Sequence, residues 1–272
     1  VQSVEIVTAG ITLKGLEYEG ERATLNAKTN QEDEPLDLAN RIGADDTVVE
    51  GFVVRGYQRG VMVDHCKRAT VRLMALEDLD HFGVSVSEAH EITLERIVAG
   101  VVHGGAIAIM GSSSVTVSDS EMFASGAGLL ILNSQSISVV NASIHHNWIG
   151  VVATGAVPDS TSYVKLVACR LLGNNAAPPP EIEDSYLDAM SGIGVLLSGA
   201  SHTEITRCTI AENGSMGILT MAFDGEGIRH LEKDAKRSGP PSEHTCVHHN
   251  RYYTNGGAPC KAFTERFAGV AT

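Results

Sequence analysis

A short apolar segment recurs along this chain at an almost constant spacing. Each copy starts with a small residue and continues with alternating apolar side chains, as in Gly60-Val61-Met62-Val63. The copies start at Gly60, Gly83, Ala106, Gly128, Gly150, Gly194 and Gly217, so the steps measure 23, 23, 22, 22, 44 and 23 residues. This period predicts a solenoid, because each repeat can bury its apolar side chains only by stacking on its neighbours.

The residues within each repeat predict short strands. Apolar and polar residues alternate with a period of two, Gly and Asn mark the turns, and no 3.6-residue period is present. The chain also has 28 glycines and only 5% aromatic residues, a composition that suits strands and tight turns. Strands that return to the same register stack in parallel, about 4.8 Å apart. The sequence therefore predicts an all-β fold, a single-stranded right-handed parallel β-helix of about eight to nine coils.

Alignment of the repeats predicts which side chains point into the solenoid. Two inward columns are expected at Val61, Val84, Ile107, Leu129, Val151, Val195 and Ile218, and at Val63, Val86, Ile109, Ile131, Ala153, Leu197 and Thr220. A third is expected at Val53, Leu76, Ile97, Ser120, Ala142, Cys169 and Cys208, where the two cysteines are interpreted as packed thiols. A turn column of Asn147, Asn174, Asn213 and Asn255 is expected to bond along the solenoid and to tolerate left-handed backbone.

These coils resemble the pectate-lyase-like superfamily of right-handed parallel β-helix repeat proteins over about residues 45–260. The resemblance lies in the x-Gly-Val-x-Val coils with Asn-bearing turns. The superfamily includes polysaccharide lyases, polygalacturonases, alginate epimerases and periplasmic copper-site accessory proteins. The resemblance implies an extracytoplasmic protein, periplasmic or secreted, although no signal peptide is recognised in this chain.

The chain is expected to contain three parts. Residues 1–45 are predicted to form an N-terminal cap and first coil, residues 46–260 the β-helix, and residues 261–272 a C-terminal tail. Insertions are expected at 155–162, 176–191 and 223–243, and residues 227–237 of the last one could form a short helix.

The net charge of −13 limits the partners of the protein. It argues against nucleic acid, whose phosphates need a basic surface, and no segment is long and apolar enough to span a membrane. An acidic polysaccharide remains compatible if the surface is locally basic, which we expect around Arg55, Arg59, Lys67 and Arg68.

The turn before the recurring strand carries candidate catalytic residues. Asp80, His81 and His103 are expected within about 5–7 Å of one another on adjacent coils, with Tyr57 and Arg59 one coil earlier and His146 in the same column. A histidine can remove a proton while an aspartate fixes its tautomer. His81 and His103 are therefore predicted as base and acid, Tyr57 as the alternative acid, Asp80 as the orienting group and Arg59 as the residue that neutralises a substrate carboxylate.

This set matches removal of the C5 proton of a uronic acid, by a lyase or a C5-epimerase. Alginate epimerases, which the coils resemble, use Tyr, His, Asp and Arg together with an Asp-Pro-His-Glu motif. Here the nearest counterparts are Asp64-His65 and Asp80-His81, and both lack the proline. The paired acids of a polygalacturonase are absent, and calcium, although possible as a cofactor, lacks carboxylates on the outward strand positions.

Those outward positions suggest an alternative function. Met62, Ser85, Ala108, Leu130, Val152, Leu196 and Leu219 form a largely apolar row. The insertions are expected to cover this row, or the row lines a pocket for an apolar small molecule. In the second case the protein would be an isomerase or cyclase that binds its substrate against Leu130, Val152 and Leu196. A non-catalytic binding or structural solenoid is the third hypothesis, and the oligomeric state stays open.

No metal site is assigned from the sequence. His145-His146 and His248-His249 are adjacent pairs, and successive strand residues are expected to face opposite sides, which would prevent simple chelation. The last coil also brings His244, Cys246, His248 and Cys260 together in sequence, and Cys246 and Cys260 could instead form a disulfide.

Overall fold

The computed structural model describes residues 4–15, 17–18, 21–26, 36–157, 159–177, 191–221, 242–256 and 260–263. Within these residues the protein consists of β-strands and turns and contains no helix. The helix considered at 227–237 and the centres of the two longer insertions lie outside the described residues. No described helix is therefore available to cross a lipid bilayer.

The first sheet of the solenoid contains ten parallel strands. In spatial order they are β1 (Val4–Ile6), β6 (Leu36–Ile42), β9 (Tyr57–Asp64), β11 (Phe82–Ser87), β13 (Gly105–Met110), β16 (Ala127–Leu132), β19 (Ile149–Thr154), β22 (Ile193–Ser198), β26 (Met216–Met221) and β29 (Cys260–Phe263). Each recurring segment of the sequence is one of these strands. The predicted all-β parallel β-solenoid is confirmed, with about seven turns instead of the eight to nine predicted.

The remaining strands form the other sides of each coil. They are β2 (Thr12–Lys14), β5 (Thr24–Asn26), β7 (Val48–Glu50), β8 (Val53–Arg55), β10 (Thr70–Leu79), β12 (His90–Val102), β14 (Ser113–Ser118), β15 (Glu121–Phe123), β17 (Gln135–Val140), β18 (Ser143–His145), β20 (Thr161–Val167), β21 (Arg170–Leu172), β23 (Ala200–Ser201), β24 (Glu204–Thr206), β25 (Thr209–Ala211), β27 (Cys246–His248) and β28 (Arg251–Tyr253). Strands β7, β14, β17, β20, β24 and β27 belong to a second sheet, and β8, β15, β18, β21, β25 and β28 to a third. Strands β10 and β12 run through both sheets, while β3 (Glu17–Tyr18) and β4 (Glu21–Arg22) form an antiparallel hairpin.

Two of the three predicted inward columns are confirmed. The register places Val61, Val84 and Ile107 in one row and Val63, Val86 and Ile109 in the next, and all six are buried. The rows continue through the later coils as predicted.

The third predicted column is wrong at its first two positions, Val53 and Leu76. Val53 lies opposite Ala75, and Met74 lies opposite Ile97. The observed column is Phe52, Met74, Ile97, Ser120, Ala142, Cys169 and Cys208. The alignment was offset because β10 passes its corner at Leu73 (φ 57°), a residue type that gives no turn signal. Cys169 and Cys208 are buried free thiols, as predicted.

Every regular coil turns at residues with left-handed backbone. One coil, for example, turns at Glu88, Glu91, Arg96 and Val101, whose φ angles are 48°, 58°, 52° and 56°. The predicted asparagine column forms a continuous hydrogen-bonded ladder, but its asparagines do not have positive φ. The left-handed residue is the one before each of them, as with His146 before Asn147.

Val101 is the most unfavourable of these corner residues, because a β-branched side chain disfavours left-handed backbone. Its side chain is 49% exposed and therefore gains little from packing. We expect Val101→Asn to raise the free energy of unfolding by about 1 kcal/mol. Chemical denaturation of the two proteins measures this change, and an unchanged or lower stability would show that the corner is not strained.

Candidate active site

Six polar residues lie along one corner of the solenoid, where the chain enters the first sheet. We call them the histidine strip: Asp80, His81, His103, Glu121, His145 and His146. Asp80, His81 and His103 lie just before strands β11 and β13, whereas Glu121 and His145 lie on β15 and β18 of the third sheet. The strip therefore extends over four successive coils.

The first half of the strip is a carboxylate–histidine pair. Nδ1 of His103 lies 3.4 Å from Oδ1 of Asp80 on the preceding coil, as the repeat alignment had predicted. The imidazole is 59% exposed. A carboxylate near Nδ1 favours the Nδ1–H tautomer, in which the lone pair of the ring is on Nε2. His81 is exposed and lies next to Gly104, where a side chain would clash with the carbonyl oxygen of His81.

The second half of the strip is a chain of three groups. Oε1 of Glu121 lies 2.9 Å from Nε2 of His145, and Nδ1 of His145 lies 2.8 Å from Nδ1 of His146. An ionised carboxylate can only accept a hydrogen bond, so neutral His145 donates through Nε2 and accepts at Nδ1. His146 then donates through Nδ1 and keeps a free lone pair at Nε2. The ring of His145 also stacks on Phe123, with 5.6 Å between centroids.

The convergence of His145 and His146 corrects an expectation from the sequence. Adjacent strand residues face opposite sides, but His146 has a φ of 55° and follows the last residue of β18. Its left-handed backbone turns the side chain back toward that of His145. The pair His248 and His249 behaves in the same way, with an Nδ1–Nδ1 distance of 2.6 Å. Within the described ranges, no three ligating side chains gather around a common metal position.

The coil that carries Glu121 has small side chains where it turns the corner between His103 and His146. Ala124, Ser125 and Gly126 occupy the corner of that coil, and Trp148 N donates to Ser125 O from the next one. Gly126 has no room for a side chain, because a Cβ atom there would lie 2.4 Å from the carbonyl oxygens of His103 and Gly104. His103 and His146 therefore lie on either side of a corner with small side chains, about 10 Å apart along the solenoid axis.

Tyr57 does not belong to the site. The prediction placed it one coil before His81, but its side chain is 1% exposed and packs in the hydrophobic core. Burial also raises the pKa of the Tyr57 phenol, which makes it a poorer acid. The chain turns at Gly56 (φ 72°), so Tyr57 starts β9 facing inward.

Arg59 lies on β9 in register with Phe82, one coil before the strip begins. Its Nη1 atom is 3.7 Å from Oδ1 of Asp37. Arg170, which the sequence reasoning missed, lies closer to the second half of the strip. It is exposed on β21, two residues before Leu172, which pairs with His145. The repeat alignment contained a signal for Arg170. It directly follows Cys169, which belongs to an inward column, so its side chain is expected to point outward.

The expected basic surface is absent. Nη2 of Arg55 lies 2.8 Å from Glu77, and Nε of Arg68 lies 2.6 Å from Asp46. Asp45, which accepts the backbone N–H of Lys67, also lies 3.8 Å from Nη2 of Arg68. These cations also belong to different sides of the solenoid. Positions 22 residues apart lie side by side, so the numerous carboxylates of this acidic chain fall next to its cations.

The apolar outward row is not an open pocket. Val152 and Leu196 are 5% and 4% exposed and belong to a second hydrophobic cluster with Trp148, Ile149, Ile193 and Leu219. Leu130 is partly buried at the edge of this cluster. Val152 and Leu196 therefore cannot contact a substrate in this conformation, which is a correction to their prediction as binding residues.

A different histidine joins two coils at the opposite edge of the first sheet. Nδ1 of His65 lies 2.6 Å from Oδ1 of Asp64, and its Nε2 lies 2.8 Å from Oε2 of Glu88 on the next coil. Nη2 of Arg41 contacts the other oxygen of Asp64 at 3.1 Å. Since both imidazole nitrogens face carboxylates, Asp64 first and then Glu88 raise the pKa of His65.

This raised pKa predicts a pH-dependent contribution to stability. A group with a higher pKa in the folded state stabilises the protein fully below its unfolded pKa of about 6.5. The contribution disappears as the pH rises through the folded value. We expect wild-type protein to melt above His65→Gln at about pH 5.5 and the difference to shrink in alkaline buffer. Melting curves of both proteins from pH 5 to 9 test this; a difference that is constant with pH would contradict it.

The fold and its parallel register define a β-helix protein. The sequence matches a family model described as a right handed beta helix region over residues 59–260. The chain belongs to this family of right-handed β-helix proteins. No curated protein sequence matches the chain significantly.

Several solved structures share the fold at low sequence identity. The A-module of mannuronan C-5 epimerase AlgE4 from Azotobacter vinelandii is 13% identical to this chain and has a TM-score of 0.58. The match covers 100% of this chain and 79% of the A-module chain. The periplasmic alginate epimerase AlgG is 10% identical, with 89% and 68% coverage and a TM-score of 0.55. The tailspike gp49 of Acinetobacter baumannii bacteriophage Fri1, a capsular polysaccharide depolymerase, is 8% identical, with 82% and 41% coverage and a TM-score of 0.50. At these identities the likeness shows the fold alone.

Proposed function

We propose that the protein is a carbohydrate-active enzyme that abstracts the C5 proton of a uronic acid in an acidic polysaccharide, as a lyase or a C5-epimerase. The observation that carries the proposal is the placement of two imidazoles beside carboxylates, two coils apart on one corner. His103 lies beside Asp80, and His146 is linked through His145 to Glu121, with only small residues at the corner between them. The names of the matching structures, two uronan epimerases and a depolymerase, favour a polysaccharide as the substrate class.

The reaction requires a base and an acid on different sides of the sugar. Nε2 of His103 accepts the proton from C5, and the electron pair of the C–H bond delocalises into the neighbouring carboxylate. Asp80 stabilises the resulting imidazolium, as a carboxylate at Nδ1 does in other acid–base sites. Arg170 is the candidate for neutralising the substrate carboxylate, because it is exposed beside the second half of the strip.

The intermediate can continue in two ways. In an epimerase, protonated His146 returns a proton from Nε2 to the opposite face of C5. In a lyase, it protonates the leaving glycosidic oxygen at C4 while the C4–O bond breaks and a C4–C5 double bond forms. In both cases the hydrogen-bonded chain from His146 through His145 to Glu121 holds the ring of His146 in a fixed orientation, with Nε2 available to the sugar.

Proton NMR spectra of alginate, pectate, hyaluronan and heparin-like chains, recorded before and after incubation with the protein, test the proposal. Epimerisation shifts anomeric signals and elimination creates a vinyl signal. Parallel samples with calcium and with a chelator test whether the reaction depends on calcium, a cofactor that the sequence neither assigned nor excluded. We expect one substrate to change and the change to require His103; unchanged spectra for every substrate and condition would refute the proposal and favour a non-catalytic solenoid.

A further inference from the structure

Three aromatic rings form a stack on another corner of the solenoid, between the first and second sheets. The rings of Tyr163 and His202 are 4.8 Å apart with an interplanar angle of 21°, and those of His202 and His244 are 4.7 Å apart with an angle of 29°. All three residues are exposed. They lie outside the histidine strip and have no part in the proposed reaction.

The stack follows from the geometry of the corner. The φ angles of Tyr163, His202 and His244 are 56°, 52° and 51°, so each side chain leaves the backbone in the same direction. Successive coils are about 4.8 Å apart, which sets the ring spacing. The corner column, in coil order, is Arg68, Glu91, Ser114, Ser136, Tyr163, His202 and His244.

Among the described residues, the stack covers one face of the Tyr163 ring. His202 covers that face, while the other face points toward the coil of Ser136. Ser136 and then Ser114 present short hydroxyl side chains on the next two coils. A flat group of one ring thickness can therefore continue the stack above Ser136, with hydroxyl groups at its edge. Glu91 and Arg68 end the column with opposite charges.

We infer that this corner is a second carbohydrate-binding site, which takes one pyranose unit of the polymer against the free face of Tyr163. A pyranose presents C–H groups on a face and hydroxyls around its edge. The C–H groups suit the electron-rich face of an aromatic ring, and the hydroxyls suit Ser136 and Ser114. The inference rests on the proposed function for its ligand class and adds a place where the polymer is held away from the strip.

A second contact on one polymer increases apparent affinity without changing the chemical step. We expect Tyr163→Ala to weaken binding of long chains about three- to tenfold and to leave kcat unchanged. Short oligosaccharides, which cannot reach both sites, should be converted equally by the two proteins. Tyr163→Trp should retain binding. Tyr253→Ala is the matched control, because Tyr253 is 52% exposed on the third sheet, away from the stack.

Affinity electrophoresis in gels containing each polysaccharide measures binding independently of turnover. Slower migration of wild-type protein that is lost in Tyr163→Ala but kept in Tyr253→Ala supports the inference. Equal retardation of all three proteins, or no retardation of any, overturns it. If turnover is absent but retardation depends on Tyr163, the proposed reaction fails while the binding site stands. If turnover is present and retardation is independent of Tyr163, the binding site at Tyr163 fails while the proposed reaction stands.

Discussion

His103→Ala is expected to lower the rate of sugar conversion by about 10²- to 10⁴-fold, the usual contribution of a positioned acid or base. Reactions run in deuterium oxide separate its role from that of His146. Without His103 no group removes the C5 proton, so both product formation and incorporation of deuterium at C5 should stop. Without His146 the proton can still be removed and returned by solvent, so His146→Ala should retain exchange and lose most of the product.

Matched variants make this experiment decisive. His90 is a comparably exposed histidine whose Nδ1 lies 2.7 Å from Ser113, away from the strip, so His90→Ala should keep full activity. His81→Ala tests the original assignment of His81 as a partner of His103. If His81→Ala abolishes exchange while His103→Ala does not, the base is His81 and the Asp80–His103 pair has another purpose.

Asn174→Ala is expected to lower the free energy of unfolding by about 3–5 kcal/mol, through lost hydrogen bonds and newly unsatisfied buried groups. Asn174 is fully buried. Its Nδ2 donates to Asn213 Oδ1 at 2.9 Å and to Ile144 O at 3.2 Å, and its Oδ1 accepts from Nδ2 and N of Asn147 at 3.0 and 3.2 Å. Alanine removes these four bonds at once and leaves the buried Asn147 N–H without its acceptor.

The neighbouring residue provides the control. Asn175 has the same side chain but is exposed, so Asn175→Ala should change stability by less than about 0.5 kcal/mol. Urea denaturation of the three proteins measures both effects. Equal midpoints for Asn174→Ala and Asn175→Ala would mean that the ladder follows the fold without stabilising it.

Much of the fold was predictable because it depends on periodicity. The side chains that recur at 22 or 23 residues must face the interior if the chain is a solenoid, and Val61, Val84 and Ile107 do so. The pairing of Asp80 with His103 was predictable for the same reason, since both precede the same strand on adjacent coils. The asparagine ladder also follows from the repeat alone.

The corners were not predictable to the same accuracy. Leu73 and Val101 adopt left-handed backbone although neither residue type favours it, because stacking on adjacent coils outweighs the local preference. A shift of one or two residues at such a corner moved Val53 and Leu76 out of their predicted column. The exact position of a corner also decides whether the next side chain points inward or outward. For this reason the sequence did not predict the burial of Tyr57, which follows the turn at Gly56.

The sequence by itself determined the parallel solenoid, its two regular inward columns and the coil on which each candidate residue lies, because these depend only on residue type and spacing. The tertiary structure decided which candidates meet. It turned His146 toward His145, placed Glu121 beside them and closed the apolar row over Val152 and Leu196. These outcomes depend on backbone angles at corners and on contacts between coils, which differ among residues that share the same repeat position.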